Sequence, residues 1–267
     1  MATLVNQVIQ KLAVTFAAFL AGTSLRAQLP STGETAPSSW TLTTAFASQY
    51  LFRGTRLGGA SLQPSVEYDA GPLGLGLWTN VPLQGQVAGQ SDPEGDFYGF
   101  YVVDLTKTVS LIPGLTVYTY PNANEKNGLY KATVEPNFAI NYAIGGVRLT
   151  PKVYYDFVRR GPTLELTASV ALPLTSLGTE LDFTGTAGTF IWKDAVSDAN
   201  PTVKNWENYY LVGISAPYQI SRGSKVMVGW AYTKGSNNYF KTGTAGKTRN
   251  EAALGRGVLT LSYAISF

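Results

Sequence analysis

Apolar and polar residues alternate along most of this chain with a period of two, the signature of a β-strand with one apolar side. The segment ending at Phe267 shows it cleanly. Leu259, Leu261, Tyr263, Ile265 and Phe267 fall on one face, and Thr260, Ser262, Ala264 and Ser266 on the other. Across 146–157, Val147, Leu149, Pro151, Val153, Tyr155 and Phe157 oppose Arg148, Thr150, Lys152, Tyr154 and Asp156. Within 129–142, Tyr130, Val134, Phe138, Ile140 and Tyr142 oppose Lys131, Thr133, Glu135, Asn137 and Asn141. Over 163–172, Leu164, Leu166, Ala168, Val170 and Leu172 oppose Glu165, Thr167 and Ser169.

The pattern predicts about twelve strands, near 39–51, 61–69, 73–82, 95–107, 114–120, 129–142, 146–157, 163–172, 178–188, 205–216, 224–234 and 256–267. Segments of about ten residues match strands that cross a membrane at a tilt. The connections sort by parity. Every second one is tight, at 70–72, 108–113, 143–145, 173–177 and 217–223, whereas 83–94, 189–204 and 235–255 are long and polar. Short turns at one end and long loops at the other are the pattern of a membrane barrel. The expected fold is therefore all-β: a transmembrane antiparallel up-and-down β-barrel of about 12 strands, apolar toward lipid and polar toward the lumen. Pro64, Pro136 and Pro151 fall inside these strands, where bulges or strand starts accommodate them.

Both ends of the chain fit that expectation. An apolar last strand left unpaired would aggregate, and closure onto the first strand removes the edge. The alternating strand with Tyr263, Ile265 and a terminal Phe267 also resembles the signal by which outer-membrane barrels engage their assembly machinery. At the other end, Lys11 precedes the apolar run Leu12–Gly22, and small residues lead to Ala27. That is the three-part layout of a secretory signal, and the run is too short to cross a ~30 Å hydrocarbon core as a helix. The expected organisation is a signal peptide at 1–27, a Pro/Ser/Thr-rich periplasmic lead-in at 28–38 and the barrel at 39–267. The protein is then exported through the inner membrane to the bacterial outer membrane.

Composition sharpens the picture. Charged residues make up 14% and aromatic residues 12% of the 267, against about 25% charge in a typical soluble domain. Cys and His are both absent. This removes thiolate nucleophiles, Ser-His and Asp-His pairs and the commonest metal ligands. Without Lys11 and Arg26 the chain carries 18 basic and 17 acidic residues. Such a balance leaves no electrostatic footprint for nucleic acid. Tyr118, Tyr120, Trp206, Tyr209, Tyr210, Tyr218, Trp230 and Tyr232 lie near strand ends, where interfacial girdles form.

Tyr50-Leu51-Phe52-Arg53-Gly54, then Gln63-Pro64-Ser65, then Gly74-Leu75-Gly76-Leu77-Trp78-Thr79-Asn80 resemble the opening of an uncharacterised outer-membrane family known as TorF or Gcw_chp. Tyr118-Thr119-Tyr120-Pro121, with Glu125 beyond, is similar to its next feature. The likeness spans roughly 45–140. It implies an outer-membrane barrel and brings no substrate with it.

The polar faces supply the candidate chemistry. Glu67, Asp69, Asp96, Asp104, Glu135, Glu165, Glu180, Asp182 and Glu207 point inward with Lys131, Arg148, Lys152 and Lys225. Such a lining selects ions or small solutes, or else holds a plugged barrel together through paired charge. Lys131, Arg148 and Lys152 form a basic ladder opposite the acidic strands of Glu165 and Asp182, and Arg53 folds inward from the first external loop or pairs within its own turn. Glu180 and Asp182 share a face as a glycosidase pair would, but the lining is the simpler reading. Asp194, Asp198 and Asn200 complete no calcium loop. The sequence therefore points to no enzyme, cofactor or metal. It points to a porin-like passive channel for small hydrophilic solutes or ions in contact with outer-membrane lipid. The alternative is a closed barrel whose external loops, with Lys241, Lys247 and Arg249, bind a partner.

Overall fold

The computed structural model describes residues 38–85, 93–124, 130–191, 206–236 and 256–267. The signal and lead-in readings, the bulk of the three long loops, Glu125 and the loop residues named above lie outside the described residues. None of the described helices is long and apolar enough to cross a membrane.

The chain forms a closed antiparallel barrel of twelve staves. The first is β1 (Ser39–Ala47). The second is bent at Gln63-Pro64 into β4 (Ser61–Leu62) and β5 (Ser65–Ala70). The third is β6 (Leu73–Pro82), and the fourth is split into β7 (Glu94–Tyr101) and β8 (Val103–Asp104). Eight long staves follow: β9 (Val109–Thr119), β10 (Ala132–Ile144), β11 (Val147–Asp156), β12 (Gly161–Leu174), β13 (Thr179–Phe190), β14 (Glu207–Ser221), β15 (Ser224–Gly235) and β16 (Arg256–Ser266). Each stave pairs with its neighbour in sequence. The register Thr41↔Ser266 through Ala47↔Thr260 joins β16 to β1 and closes the ring. Phe267 exchanges both backbone hydrogen bonds with Trp40 at this seam. No edge is left open, as the alternation at the end of the chain requires.

Alternation sets the two faces. Trp40, Leu42 and Phe46 on β1, Leu164, Leu166 and Val170 on β12, and Leu259, Leu261, Tyr263 and Ile265 on β16 are exposed on the outer surface. Their neighbours in sequence turn inward. Pro136 and Pro151 sit within β10 and β11, and Pro64 sits at the bend of the second stave.

Three boundaries differ from the sequence reading by four or five residues. The first stave ends at Ala47 rather than 51, because the chain leaves the wall there. The fifth begins at Val109 rather than 114, so Val109–Leu115 belongs to a stave and the turn is only 105–108. The tenth runs on to Ser221, leaving a two-residue turn at Arg222-Gly223 before β15.

What leaves the wall after Ala47 is a hairpin, β2 (Tyr50–Phe52) and β3 (Thr55–Gly58). Its two-residue turn places Arg53 at φ +46° and Gly54 at φ +79°. Positive φ at both central residues is the tight hairpin geometry whose twist matches the strands it joins. The hairpin pairs only with itself, as a separate two-stranded sheet inside the ring.

Candidate functional site: the lumen and its hairpin

The hairpin fills the lumen toward the long-loop end. Leu51 is 1% exposed and packs with Ala47, Leu211, Ala231 and Val258 on the β14–β1 wall. Tyr50, on the other side, packs with Trp78 and Tyr98, joined by Phe52 and Leu57. Phe52 also touches the cluster of Tyr118, Tyr120 and Ala123. The hairpin thus meets both sides of the ring, β14–β1 on one and β6, β7 and β9 on the other. At the tip, a Cβ added to Gly54 would come within 2.6 Å of Tyr209 Cβ and 2.9 Å of the Gly235 nitrogen. Only a glycine tolerates both this positive φ and this approach.

Arg53 crosses to the far wall. Its guanidinium donates from Nη1 and Nη2 to the two oxygens of Glu135 on β10, both at 2.8 Å. The two residues are 4% and 1% exposed. A bidentate fork of this kind is the strong form of an arginine–carboxylate pair. Tyr118 donates a further hydrogen bond to Glu135 at 2.9 Å. The Arg53 guanidinium also lies 4.7 Å from the ring centroids of both Phe52 and Tyr154. Lys152 Nζ approaches the same Tyr154 ring at 4.6 Å. Glu165 stands beside Lys152 in register and accepts hydroxyl hydrogen bonds from Tyr154 and, at 2.5 Å, from Tyr209. Two cations and two carboxylates therefore share one cluster bracketed by tyrosines, with Asp96 buried beside Glu135. Burial of charge on this scale is tolerable only when opposite charges stand together. A second cluster lies at the mouth. Glu94 accepts from Tyr50 at 2.5 Å and from Tyr120 at 3.0 Å, and Arg159 interacts with Glu94 and Asp156.

Below the cluster the lumen changes character. Thr167, Ser169, Thr184 and Thr186 form an inward stripe on β12 and β13 that stays half-exposed, and the Thr167 and Thr186 hydroxyls share a hydrogen bond at 2.9 Å. The stripe rises to Glu165 and stops at Thr163 and Phe190, which are fully buried. Glu67, Asp69, Arg148, Glu180, Asp182 and Lys225 line this short-turn half. Lys225 interacts with Glu67 and Asp182, and Tyr98 donates to Glu67 at 2.6 Å.

The structure therefore gathers Arg53, Glu135, Lys152 and Glu165 into one cluster and leaves Arg148, Glu67, Glu180 and Asp182 in the half below. Lys131 and Asp104 join neither group. Lys131 is exposed ahead of β10 at the loop end, and Asp104 is exposed at the short-turn rim, accepting from Ser110 at 2.7 Å. The basic ladder does not form: Lys152 sits beside Glu165 on the adjoining strand instead of across the lumen from it. Tyr263, Ile265 and Phe267 lie on the outer face. The girdle reading divides. Trp206, Tyr210, Tyr218 and Trp230 are exposed outside, whereas Tyr118, Tyr120 and Tyr209 are buried in the lumen as carboxylate donors. Their parity with Thr116 and Glu207 marks this inward placement in the sequence.

The comparisons with known proteins agree with this architecture. A solved structure of the NanC porin matches with a TM-score of 0.53 at 10% identity, covering 85% of this chain and 98% of its own. The KdgM porin matches with a TM-score of 0.52 at 11% identity, covering 85% and 99%. At such identity the likeness is one of fold, that of outer-membrane porin barrels. Comparison with curated proteins finds no match by sequence. A family model described as a bacterial protein of unknown function, Gcw_chp, matches residues 31–175. That span takes in the hairpin, Arg53, Glu135, Lys152 and Glu165, so the chain belongs to the Gcw_chp family.

Proposed function

We propose that this protein resides in a bacterial outer membrane, exported behind residues 1–27 with 28–38 as a periplasmic lead-in. There it acts as a porin-like passive channel for small hydrophilic solutes or ions. The observation that carries this reading is the half-exposed Ser/Thr stripe of β12 and β13, flanked by charges of both signs, that climbs the lumen to Glu165. A barrel with only a structural task has no use for a wet, charged interior over half its height. The hairpin is the constriction, and Arg53–Glu135 is the clamp that sets its position. The role is non-enzymatic. Lipid covers the outer band, and the alternating strand ending in Phe267 is what the assembly machinery would engage.

A second reading is favoured by one observation. The near-complete burial of Leu51, Arg53, Glu135 and Glu207 fits a hairpin that seals the barrel, leaving a closed body whose external loops bind a partner. Planar-bilayer recording of folded protein separates the two. Discrete currents from the native chain, with ion selectivity altered by Arg148→Glu, support the channel. Currents only after 50–58 is replaced by a short Gly/Ser linker support the sealed barrel. Silence from both proteins overturns the channel.

A further inference from the structure

The short-turn half of the lumen holds three neighbouring buried polar atoms. Glu180 Oε1, Asp182 Oδ1 and Ser215 Oγ are enclosed and, among the described residues, have no hydrogen-bond partner. They are neighbours. Glu180 and Asp182 are successive inward positions of β13, and Asp182 is in register with Ser215 across to β14. Glu180 is 6% and Ser215 2% exposed. Buried polar atoms are almost always hydrogen-bonded, and each exception needs an explanation. Three such atoms lie at neighbouring positions of two paired strands, and one positively charged occupant would serve all three.

We infer that Glu180, Asp182 and Ser215 form a binding subsite for a small monovalent cation, an alkali-metal ion or the head of a primary ammonium. Three features set the class. The donors are all oxygens, two of them carboxylates, which suits hard cations and N–H donors and repels anions. The charge favours a positive occupant. Lys225 on β15 faces Glu67 as well as Asp182, so Glu67, Glu180 and Asp182 share one lysine. Among the described residues no cluster of three or more Asp, Glu, His or Cys could cage a metal, whereas calcium asks for six to eight oxygens and several carboxylates. Access comes from the lumen, since Asp182 is half-exposed below the stripe of Thr184 and Thr186.

The inference deepens the channel reading by naming the favoured solute class, yet binding is measurable without conduction. Folded protein in detergent is heated at constant ionic strength in potassium, methylammonium or N-methylglucamine chloride, the last being too bulky to enter. A ligand that binds only the folded state raises the melting temperature. The expected result is a rise of at least about 2 °C in one of the two small cations over N-methylglucamine. Which cation gives the larger rise distinguishes metal ion from ammonium. The rise should vanish in Glu180→Gln/Asp182→Asn and shrink in Ser215→Ala, which removes one donor and adds no bulk. Ser215→Ala keeps the test decisive if the double variant does not fold. No difference between cations in the native protein, or an undiminished difference in Ser215→Ala, overturns the subsite. Cation-dependent melting in a protein silent in bilayers would sink the channel and leave the subsite standing, and currents without cation-dependent melting would do the reverse.

Discussion

Toward the long loops the lumen is packed like a protein interior, and toward the short turns it is lined like a vestibule. The upper half sets most of its charges against one another: Arg53 on Glu135, Lys152 beside Glu165, and tyrosine hydroxyls on Glu94, Glu135 and Glu165, with Asp96 buried among them. The lower half keeps Thr167, Thr184, Thr186 and Asp182 half-exposed. One barrel wall, built from the same alternating staves, supports both. The difference comes from the hairpin, which supplies the upper half with the apolar surface and the cation that the wall lacks. In the upper half a substitution should therefore register as stability, and in the lower half as selectivity.

The largest effect belongs to the clamp. Arg53→Met leaves Glu135 buried without its cation and should cost about 3–5 kcal/mol, whereas replacing both members by apolar residues is often close to neutral. Guanidinium unfolding of the protein in lipid should show Arg53→Met/Glu135→Met recovering most of what Arg53→Met loses. A double variant no better than the single one would mean that the pair does not hold the hairpin. Next comes Gly54→Ala. A methyl group there meets Tyr209 Cβ and the Gly235 nitrogen, and overpacking of this kind costs about 1–3 kcal/mol. A loss below that range would show that the tip is not seated against β14 and β15.

How far this contrast could be read from the sequence follows the same division. The staves were legible because their inward and outward residues differ in polarity at every second position, as on β11, where Arg148, Thr150, Lys152, Tyr154 and Asp156 share a side that the structure turns inward. The hairpin was not. Tyr50-Leu51-Phe52 is apolar throughout and reads as a continuation of β1, since alternation cannot register an apolar strand surrounded on all sides. Its one local sign is Phe-Arg-Gly, where Gly permits the left-handed turn that Arg adopts beside it. The inward tyrosines were half legible. A phenol suits either a lipid interface or a carboxylate, so only the parity of its strand decides between them. Gly76 and Gly188 are the other trace: each leaves room for a tyrosine ring, Tyr98 and Tyr209, lying over it from the next strand. Which carboxylate receives Arg53 depends on the path of a loop across the barrel, and no spacing within a strand encodes that.

A smaller effect tests how much the tyrosine bracket adds. Tyr209→Phe removes one of the two phenol donors to Glu165 and keeps the ring against Phe190. Hydrogen bonds to charged groups contribute about 1.5–3 kcal/mol. Because Glu165 is half-exposed and can recruit water in place of the phenol, the loss should fall at the low end, about 1.5 kcal/mol. A larger loss would show that water does not reach Glu165 when the phenol is removed.

The smallest effect on stability should come with a clear effect on permeation, and it separates the halves most sharply. Thr186→Lys adds a long cation to the half-exposed stripe, where its partner Thr167 keeps a hydroxyl that water can satisfy. Substitutions away from packed or buried features generally stay within about 0.5 kcal/mol. The melting temperature should hardly move, because the side chain extends into space that the hairpin does not occupy. The same ammonium sits directly on the route past Asp182, so the reversal potential in a salt gradient should shift toward anions. A stability loss comparable to that of Gly54→Ala would mean that the lower half is packed as tightly as the upper. The lumen would then be filled over its whole length, and the hairpin would no longer account for the difference between its two ends.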